Sequence, residues 1–590
     1  MSRPRALAVC AATAGLVIGA AGTAAAADPI LPLSDVTAGM VGEARTVVRG
    51  TDIVTFPVTV IDVQRSADGP GGSLILVRAS GPLIDETGGV AEGMSGSPVY
   101  VTGADGVSRV MGAVAYGSGD QANVIVGVTP IEQMIDSGSG LRANALAPTA
   151  APARRAVVVR SRAAARALET RRPDRIGLYP LARWTAAGVS RRLAGPLTTS
   201  LARSGIQLTS LGPRTPRPAT TLVPGASMTV LLAGGDLVIG AVGTVTYVDG
   251  STVLGFGHPF LNAGRARFLL GDGYVYQTIA APITGSSYKL AEPGTIQGVI
   301  TADRADGVTA RRGPAEGITA VATATDAARG TESTVRTTIA PDERTVPIVA
   351  GLLQDEPAIR VRDGVAGGTL TLRISITSPD LRTPIVYRNV YAAAGDVVSM
   401  ASGQLPRMLT ILMQNGVRPV PVSAISVTQR LEARVRAARI LGASVRRPAA
   451  GGRPVLVLRL QPWRSSPRVV RVPVRLPAGV DASSPTLRVI PKSEGGFDPF
   501  TADLSQGLGG SAPLGARPAV VGRAERLAAR ASGTRLERVV ESLARITDDR
   551  NDAVRLLAPG EDADDPEAGV TVPVPYVIYG GRATTRVPFR

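Results

Sequence analysis

The chain is poor in the residues that usually build metal sites, disulfides and aromatic cores. Its 590 residues include one histidine and one cysteine, and only 3% are aromatic. Because Cys10 lies within the first 27 residues, the rest of the chain has no thiol for a disulfide-linked partner, a thiolate metal site or a cysteine nucleophile. No basic segment is interleaved with aromatic residues, so nucleic-acid binding through base stacking is not expected. The sequence predicts neither a metal nor a cofactor.

Length and composition indicate a large, mainly β protein. Single hydrophobic cores stop growing at about 250–300 residues, so a chain of 590 residues is expected to form several domains. Glycine (68) and proline (45) are frequent, and the apolar residues are mostly valine, alanine, leucine and isoleucine. This composition is typical of many short strands joined by tight turns.

The N-terminal segment has the features of a secretory signal peptide. Arg3 and Arg5 precede an uncharged stretch rich in alanine and glycine, which leads into small residues suited to cleavage before Asp28. We therefore predict a signal peptide at 1–27 and a secreted or cell-envelope location after its removal. The alternative is an uncleaved membrane anchor, because the stretch is just long enough to span a bilayer.

Strand and turn patterns divide the remaining chain into four parts. Residues 28–140 show strand after strand and end in a short helix, and 225–340 resume this pattern with an Asp-Gly hairpin turn at 249–250. The intervening 141–224 are rich in alanine, proline and arginine, which favours a solvated linker with helical pieces. Residues 341–590 predict a C-terminal β-rich region with some helices, one of them at 428–441.

The most informative motif is Gly-Met-Ser-Gly-Ser-Pro at 93–98. A serine nucleophile must present its hydroxyl on a tight turn, beside backbone N–H groups that hold the oxyanion of a tetrahedral intermediate. Gly93 and Gly96 permit such a turn around Ser95. Alone, the motif is equally compatible with an ordinary glycine- and serine-rich β-turn. It is not the nucleophile elbow of an α/β-hydrolase, which requires glycine where Ser97 stands.

His258 is the one imidazole available to activate a serine. It stands between Gly257 and Pro259 at the end of a predicted strand, so its side chain can project from a fixed backbone. The near-neutral pKa of imidazole suits proton transfer close to pH 7. The alternative is a structural role, which is the commoner one for an isolated histidine.

Together these segments resemble serine peptidases of the SpoIVB (stage IV sporulation protein B) type. The resemblance rests on Thr-Gly-Gly at 87–89, on the motif at 93–98, on Gly-Ala-Val at 112–114 and on Gly-His-Pro at 257–259. It covers well under half of the chain. The resemblance implies a chymotrypsin-like double β-barrel and a protein or peptide substrate.

The resemblance also implies the roles of the site residues. Ser95 would attack a peptide carbonyl, His258 would take its proton, and the N–H groups of Gly93 and Ser95 would form the oxyanion hole. In the family the histidine precedes the serine, whereas here Ser95 comes 163 residues before His258. The two halves of the double barrel are therefore predicted in permuted order, which catalysis allows because geometry defines a triad.

The motifs do not supply the third member of the triad. The family's aspartate lies fifteen residues before the serine, and that position is Ser80 in this chain. Asp85 is the nearest carboxylate on the same segment. We predict Ser80, with Asp85 as the alternative, as the group that orients His258.

The sequence thus predicts a secreted serine endopeptidase that works through an acyl-enzyme intermediate. Two alternatives stay open: a protease-derived binding or scaffolding module without catalysis, and a structural protein of the cell envelope. The formal net charge of +17, nearly all from arginine, is compatible with contact with anionic cell-wall or membrane surfaces, and also with the codon bias of a GC-rich genome.

Overall fold

The computed structural model describes residues 27–65, 72–119, 124–139, 155–281, 287–362, 364–447, 452–493, 495–499 and 546–589 except 566, together with Val539 and Leu543. The fold is mainly β, as predicted. Residues 1–26 of the predicted signal peptide, residues 141–154 of the predicted linker and most of 500–545 lie outside the described residues.

The first strands close into a barrel. Six antiparallel strands pair in the order β4-β1-β2-β3-β6-β5, and β5 pairs again with β4. Buried and exposed side chains alternate along β2, which is the pattern of a strand with one face on the core. The elements are β1 (Val41–Val47), β2 (Ile53–Gln64), β3 (Leu74–Ala79), α1 (Pro82–Thr87), β4 (Pro98–Thr102), β5 (Ser108–Ser118), β6 (Ile125–Pro130) and α2 (Ile131–Ser139), preceded by a 3₁₀ turn at Leu33–Asp35.

The predicted linker at 141–224 is folded from Arg155 onward, so this prediction is wrong for that part. Its first half extends the first sheet, because β8 pairs with β5, and its second half joins the next sheet, because β9 pairs with β12. The alanine- and arginine-rich composition hid four short strands. The elements are β7 (Arg155–Val158), α3 (Arg162–Arg171), β8 (Arg175–Pro180), β9 (Arg183–Ala187), α4 (Arg191–Arg203) and β10 (Gln207–Ser210).

A second cycle of strand pairings lies in a 14-stranded sheet. Strands β11, β12, β13, β16, β15 and β14 pair in that order, each antiparallel to the next, and β14 pairs with β11. The predicted Asp249-Gly250 turn joins β12 to β13. The elements are β11 (Ser227–Gly235), β12 (Val238–Asp249), β13 (Thr252–Gly255), β14 (Gly264–Ile279), β15 (Tyr288–Arg304), β16 (Gly307–Arg312), β17 (Ile318–Asp326) and β18 (Thr331–Ile339).

The C-terminal region is continuous with this sheet, so the predicted boundary at 340 does not separate two sheets. Strand β17 pairs with β21, and helix α5 is buried on nearly all sides. The elements are α5 (Val346–Arg362), β19 (Gly368–Thr377), β20 (Ile385–Ala393), α6 (Val397–Ala401), α7 (Gln404–Met413), β21 (Ala424–Glu432), β22 (Ala437–Arg446), β23 (Val455–Pro462), β24 (Arg468–Pro473), β25 (Thr486–Pro491), β26 (Phe497–Asp498), β27 (Ala553–Leu557), β28 (Val570–Pro573), β29 (Val577–Gly580) and β30 (Ala583–Arg586).

Two four-stranded sheets complete the C-terminal region, with the orders β24-β23-β22-β29 and β28-β27-β25-β30. The helix predicted at 428–441 is wrong, because this segment forms the end of β21 and the start of β22. No helix of the described residues is both long and apolar enough to cross a membrane.

Apolar side chains join the first barrel to the second sheet. Val47 of β1 packs with Val242, Val275 and Ala291 in one cluster, and Leu254 of β13 joins a second cluster of residues from the first barrel. The candidate catalytic residues lie at this junction.

Candidate active site

Ser95 lies on a tight turn of residues 91–97 that precedes β4. The N–H of Met94 donates to Ala91 O (2.9 Å) and the N–H of Ser97 donates to Met94 O (3.0 Å). Gly93 and Gly96 have φ angles of 92° and 91°, which side chains rarely adopt. The two glycines of the motif are therefore needed for the backbone of this turn, as the sequence predicted.

Strands of both sheets hold the turn of residues 91–97. On the first barrel, the N–H of Gly96 donates to Val114 O of β5 (2.7 Å). On the second sheet, the N–H of Thr244 donates to Ser95 O (2.7 Å), and the Thr246 hydroxyl donates to Gly96 O (2.8 Å). The turn of residues 91–97 is thus fixed by the contact between the two halves of the chain.

His258 follows β13 and reaches back to the first barrel. Thr129 of β6 donates its hydroxyl to Gly257 O (2.6 Å), and the ring of Tyr116 lies 6.1 Å from the imidazole, centroid to centroid. Phe256 has a φ of 68°, a conformation that costs a residue with a side chain about 1–2 kcal/mol. Backbone strain of this kind is concentrated at functional sites.

The segments that carry Ser95 and His258 are in direct contact. A Cβ atom on Gly96 would lie 2.5 Å from the backbone nitrogen of Phe256, and one on Gly257 would lie 3.0 Å from the Cβ atoms of Ala113 and Ala115. Gly96 and Gly257 therefore pack on the same stretch of β5. The structure thus brings the segments of Ser95 and His258, 163 positions apart in the sequence, into contact.

Ser95 and His258 each have a buried polar atom without a hydrogen-bond partner, so they are not hydrogen-bonded to each other in this conformation; Ser190 Oγ and Ser227 Oγ are also unpaired. Both side chains are 0% exposed, and neither Ser95 Oγ nor His258 Nε2 is paired in this conformation. The other ring nitrogen, Nδ1, lies 2.8 Å from Pro259 O. A carbonyl can only accept, so Nδ1 carries the proton and Nε2 presents its lone pair, as a general base must.

Burial lowers the pKa of His258 to about 4, against the opposing effect of the Pro259 carbonyl, which favours the charged ring. The imidazole is therefore neutral at pH 7. Among the described residues, no carboxylate is hydrogen-bonded to this ring. The neutral imidazole can therefore accept a proton, but the imidazolium that results is stabilised little.

Protonation of His258 is expected to lower the free energy of unfolding by about 3 kcal/mol as the pH falls from 6.5 to 4. The folded pKa lies below the ordinary value of 6.5, so the unfolded chain binds the proton first. Urea unfolding of wild type and His258→Gln at pH 7 and pH 4 measures this loss, which the variant should lack. An equal acid loss in both proteins would contradict the assignment.

Neither residue predicted as the third member of the triad contacts His258. Ser80 is exposed and its N–H donates to Pro57 O, whereas Asp85 is exposed on α1. The prediction of Ser80, and that of Asp85, is corrected by the structure: the Pro259 carbonyl is the acceptor at Nδ1. A backbone carbonyl has no signature in the sequence, so motif reasoning could not find it.

The predicted oxyanion hole is not formed in this conformation. The N–H of Gly93 donates to Leu181 O (2.9 Å), in the short connection between β8 and β9. Gly93 would have to release Leu181 before it could join the Ser95 N–H in binding an oxyanion.

The site is closed to substrate. One cavity of about 280 Å³ lies between the 214–220 segment and the strands β14 and β15, with a second beside it, and neither is lined by Ser95 or His258. Substrate access to Ser95 requires a movement of the surrounding segments.

The residues that hold the turn of residues 91–97 were not predicted from the sequence. Glu92 pairs with Arg183 of β9 (2.8 Å), and Lys289 of β15 is buried against Gly93. Neither Glu92 nor Lys289 belongs to a recognisable motif. Their positions beside the turn depend on pairings between strands that are far apart in the sequence.

The chain matches no protein-family model, no curated protein and no solved structure.

Proposed function

We propose that this chain is a serine endopeptidase with Ser95 as nucleophile and His258 as general base. The observation that carries the proposal is that two segments in contact carry two unsatisfied atoms, buried Ser95 Oγ and buried His258 Nε2. An unpaired buried polar atom calls for an explanation, and at Ser95 and His258 a catalytic role supplies one. Ser95 and His258 form the minimum set for acyl transfer.

The proposed reaction proceeds through an acyl-enzyme. His258 Nε2 takes the Ser95 proton as Oγ attacks the peptide carbonyl, and then gives that proton to the leaving amine. Water, deprotonated by the same nitrogen, hydrolyses the ester. Pro259 O holds Nδ1–H and so keeps Nε2 free of a proton at the start of each half-reaction.

The strand pairings support the finer fold prediction, a chymotrypsin-like double β-barrel in permuted order. The first six antiparallel strands close a barrel that carries Ser95, and the cycle from β11 to β16 carries His258 at the end of β13. The site then lies between two barrels. The SpoIVB-type resemblance, secretion after cleavage of 1–27 and a protein or peptide substrate belong to the same proposal.

A second function, a binding or scaffolding module derived from a peptidase, is favoured by the closed site. Ser95 and His258 are 0% exposed, the Gly93 N–H is occupied, and the Nδ1 of His258 faces a carbonyl in place of a carboxylate. A module without catalysis would have no need to open.

Labelling with a fluorophosphonate probe separates these two functions. We expect the purified chain to form a covalent adduct at Ser95, identified by peptide mass, and the adduct to disappear in Ser95→Ala. Ser80→Ala is the matched control: it removes an exposed serine outside the site and should label like wild type. Absence of an adduct in wild type from pH 5 to pH 9 would support the non-catalytic module.

A further inference from the structure

Lys289 is a buried lysine without a carboxylate partner. Its side chain is 4% exposed, and its Nζ lies 2.9 Å from the Thr46 hydroxyl and 3.4 Å from the Thr244 hydroxyl. A buried ammonium usually requires an anion, since burial removes its hydration. The chain nevertheless uses lysine here, although all but two of its 64 basic residues are arginine.

The lysine touches the nucleophile turn. A Cβ atom on Gly93 would lie 3.2–3.4 Å from Cβ, Cγ and Cδ of Lys289, so the aliphatic stem packs on Gly93. Thr244, which receives the Lys289 contact, also donates its hydroxyl to Gly93 O (3.5 Å) and its N–H to Ser95 O. A chain of contacts thus runs from Lys289 through Thr244 to the backbone around Ser95.

The direction of the Thr244 hydroxyl can follow the protonation state of Lys289. An ammonium can only donate, so Thr244 Oγ1 accepts from it and its own proton is free to go to Gly93 O. A neutral amine has a lone pair beside its N–H groups, so it can accept the Thr244 proton, and the hydrogen bond to the Gly93 carbonyl would then be lost. An arginine could not make this change, because it does not lose its proton in proteins.

The Gly93 carbonyl lies in the peptide that links Gly93 to Met94, next to the predicted oxyanion donor. While Thr244 holds this carbonyl and Leu181 holds the Gly93 N–H, the turn stays in the closed form. Release of the carbonyl removes one of the two bonds that oppose rearrangement of Gly93.

We propose that Lys289 is a positioning residue of the peptidase centre, which locks the Gly93–Ser95 turn through Thr244 in acid and releases it at higher pH. This inference rests on the proposed function. Burial lowers the pKa of Lys289 to about 7, so the change falls in the neutral range.

Several charged groups on the elements around Lys289 are held by partners of their own. Glu92 in the turn pairs with Arg183, and Glu43 of β1 pairs with Arg45. On β14 and β15, Asp272 accepts from the backbone N–H groups of Thr220 and Thr295, and Glu292 accepts from Tyr276. His258, at the end of β13, is neutral above about pH 5 because burial lowers its pKa to about 4.

The test is the pH profile of fluorophosphonate labelling at Ser95 in the full chain. In wild type the rate should rise about tenfold per pH unit between pH 5 and pH 7 and level off above, because one proton controls the turn. Lys289→Met should be fast and flat across this range. Lys289→Arg should be slow throughout, since its charge persists.

Two threonine variants show whether the effect passes through Thr244. Thr244→Val should abolish the inflection while keeping the lysine, whereas Thr46→Val, which removes the other contact of Nζ, should retain it. An inflection near pH 7 in Lys289→Met or Thr244→Val would overturn the inference, because another group would then control the turn.

Hydrogen exchange of the peptide that contains residues 91–97 gives an independent reading. After correction for the intrinsic pH dependence of exchange, protection should fall above pH 7 in wild type and stay constant in Lys289→Met. If wild type shows this change but no labelling, the peptidase proposal fails and the role of Lys289 in the turn stands. If labelling occurs and protection is independent of pH, only the role of Lys289 is overturned.

Discussion

Replacement of His258 by glutamine is expected to lower kcat/KM for peptide cleavage about 10⁴–10⁶-fold, the size of effect that loss of the base has in well-studied serine triads. Glutamine fills the pocket but cannot take a proton from Ser95 Oγ. The chain contains no second histidine to replace it. The residual rate would come from substrate binding and oxyanion stabilisation alone.

The matched controls for His258→Gln are Ser80→Asp and Asp85→Asn. Both side chains are exposed, and Pro259 O already occupies the position of an orienting acid, so both variants should retain wild-type kcat/KM. Assays should be run near pH 8, where Lys289 is mostly neutral. Loss of activity in Asp85→Asn alone would show that the working conformation recruits a carboxylate that the closed form keeps away.

Replacement of Gly96 by alanine is expected to destabilise the chain by about 2–5 kcal/mol and to remove activity. Its Cβ would lie 2.0 Å from Thr244 O and 2.5 Å from Phe256 N, and neither backbone atom can move as a side-chain end could. Overpacking costs about 1–3 kcal/mol, and a side chain at a φ of 91° adds about 1–2 kcal/mol. The clash falls on the contact between the nucleophile turn and β12.

Gly106→Ala is the control for Gly96→Ala. Gly106 also has a positive φ, 75°, but nothing lies within 4 Å of the position that a Cβ atom would take. Gly106→Ala should therefore cost only about 1–2 kcal/mol, the cost of placing a side chain at a positive φ. Urea unfolding gives the two free energies, and peptide cleavage tests the site. Equal losses of stability in the two variants would show that the turn does not depend on close contact with β12.

Local patterns in the sequence predicted the strands of the first barrel and of the second cycle of strand pairings better than they predicted the segments around them. The Asp249-Gly250 turn depends on neighbouring residues alone, and its prediction is confirmed. The helix wrongly predicted at 428–441 shows why some predictions failed. In β21 every second residue is buried, among them Val427, Gln429 and Leu431. Because Gln429 is polar, the sequence does not show this alternation, and the same residues also fit the periodicity of a helix.

The site was predictable where the chemistry needs special residue types. Ser95 between two glycines and the single histidine required no knowledge of the fold, and the structure brings their segments together. The acceptor at His258 Nδ1 and the contacts of Lys289 were not predictable. The first is a backbone carbonyl, and the second depends on Thr46 and Thr244, which lie 243 and 45 residues away.

The order of the two halves has a consequence for the timing of synthesis. The chain leaves the ribosome from its N-terminus, so the barrel with Ser95 is complete before His258 has been made. If the chain is the proposed peptidase, Ser95 has no base during that interval, because the chain offers no other imidazole. Thr244 and Thr246, which hold the Ser95 turn from the other side, also arrive late. Under the proposed function, a nascent chain with this arrangement would not cleave its neighbours before its second half has docked.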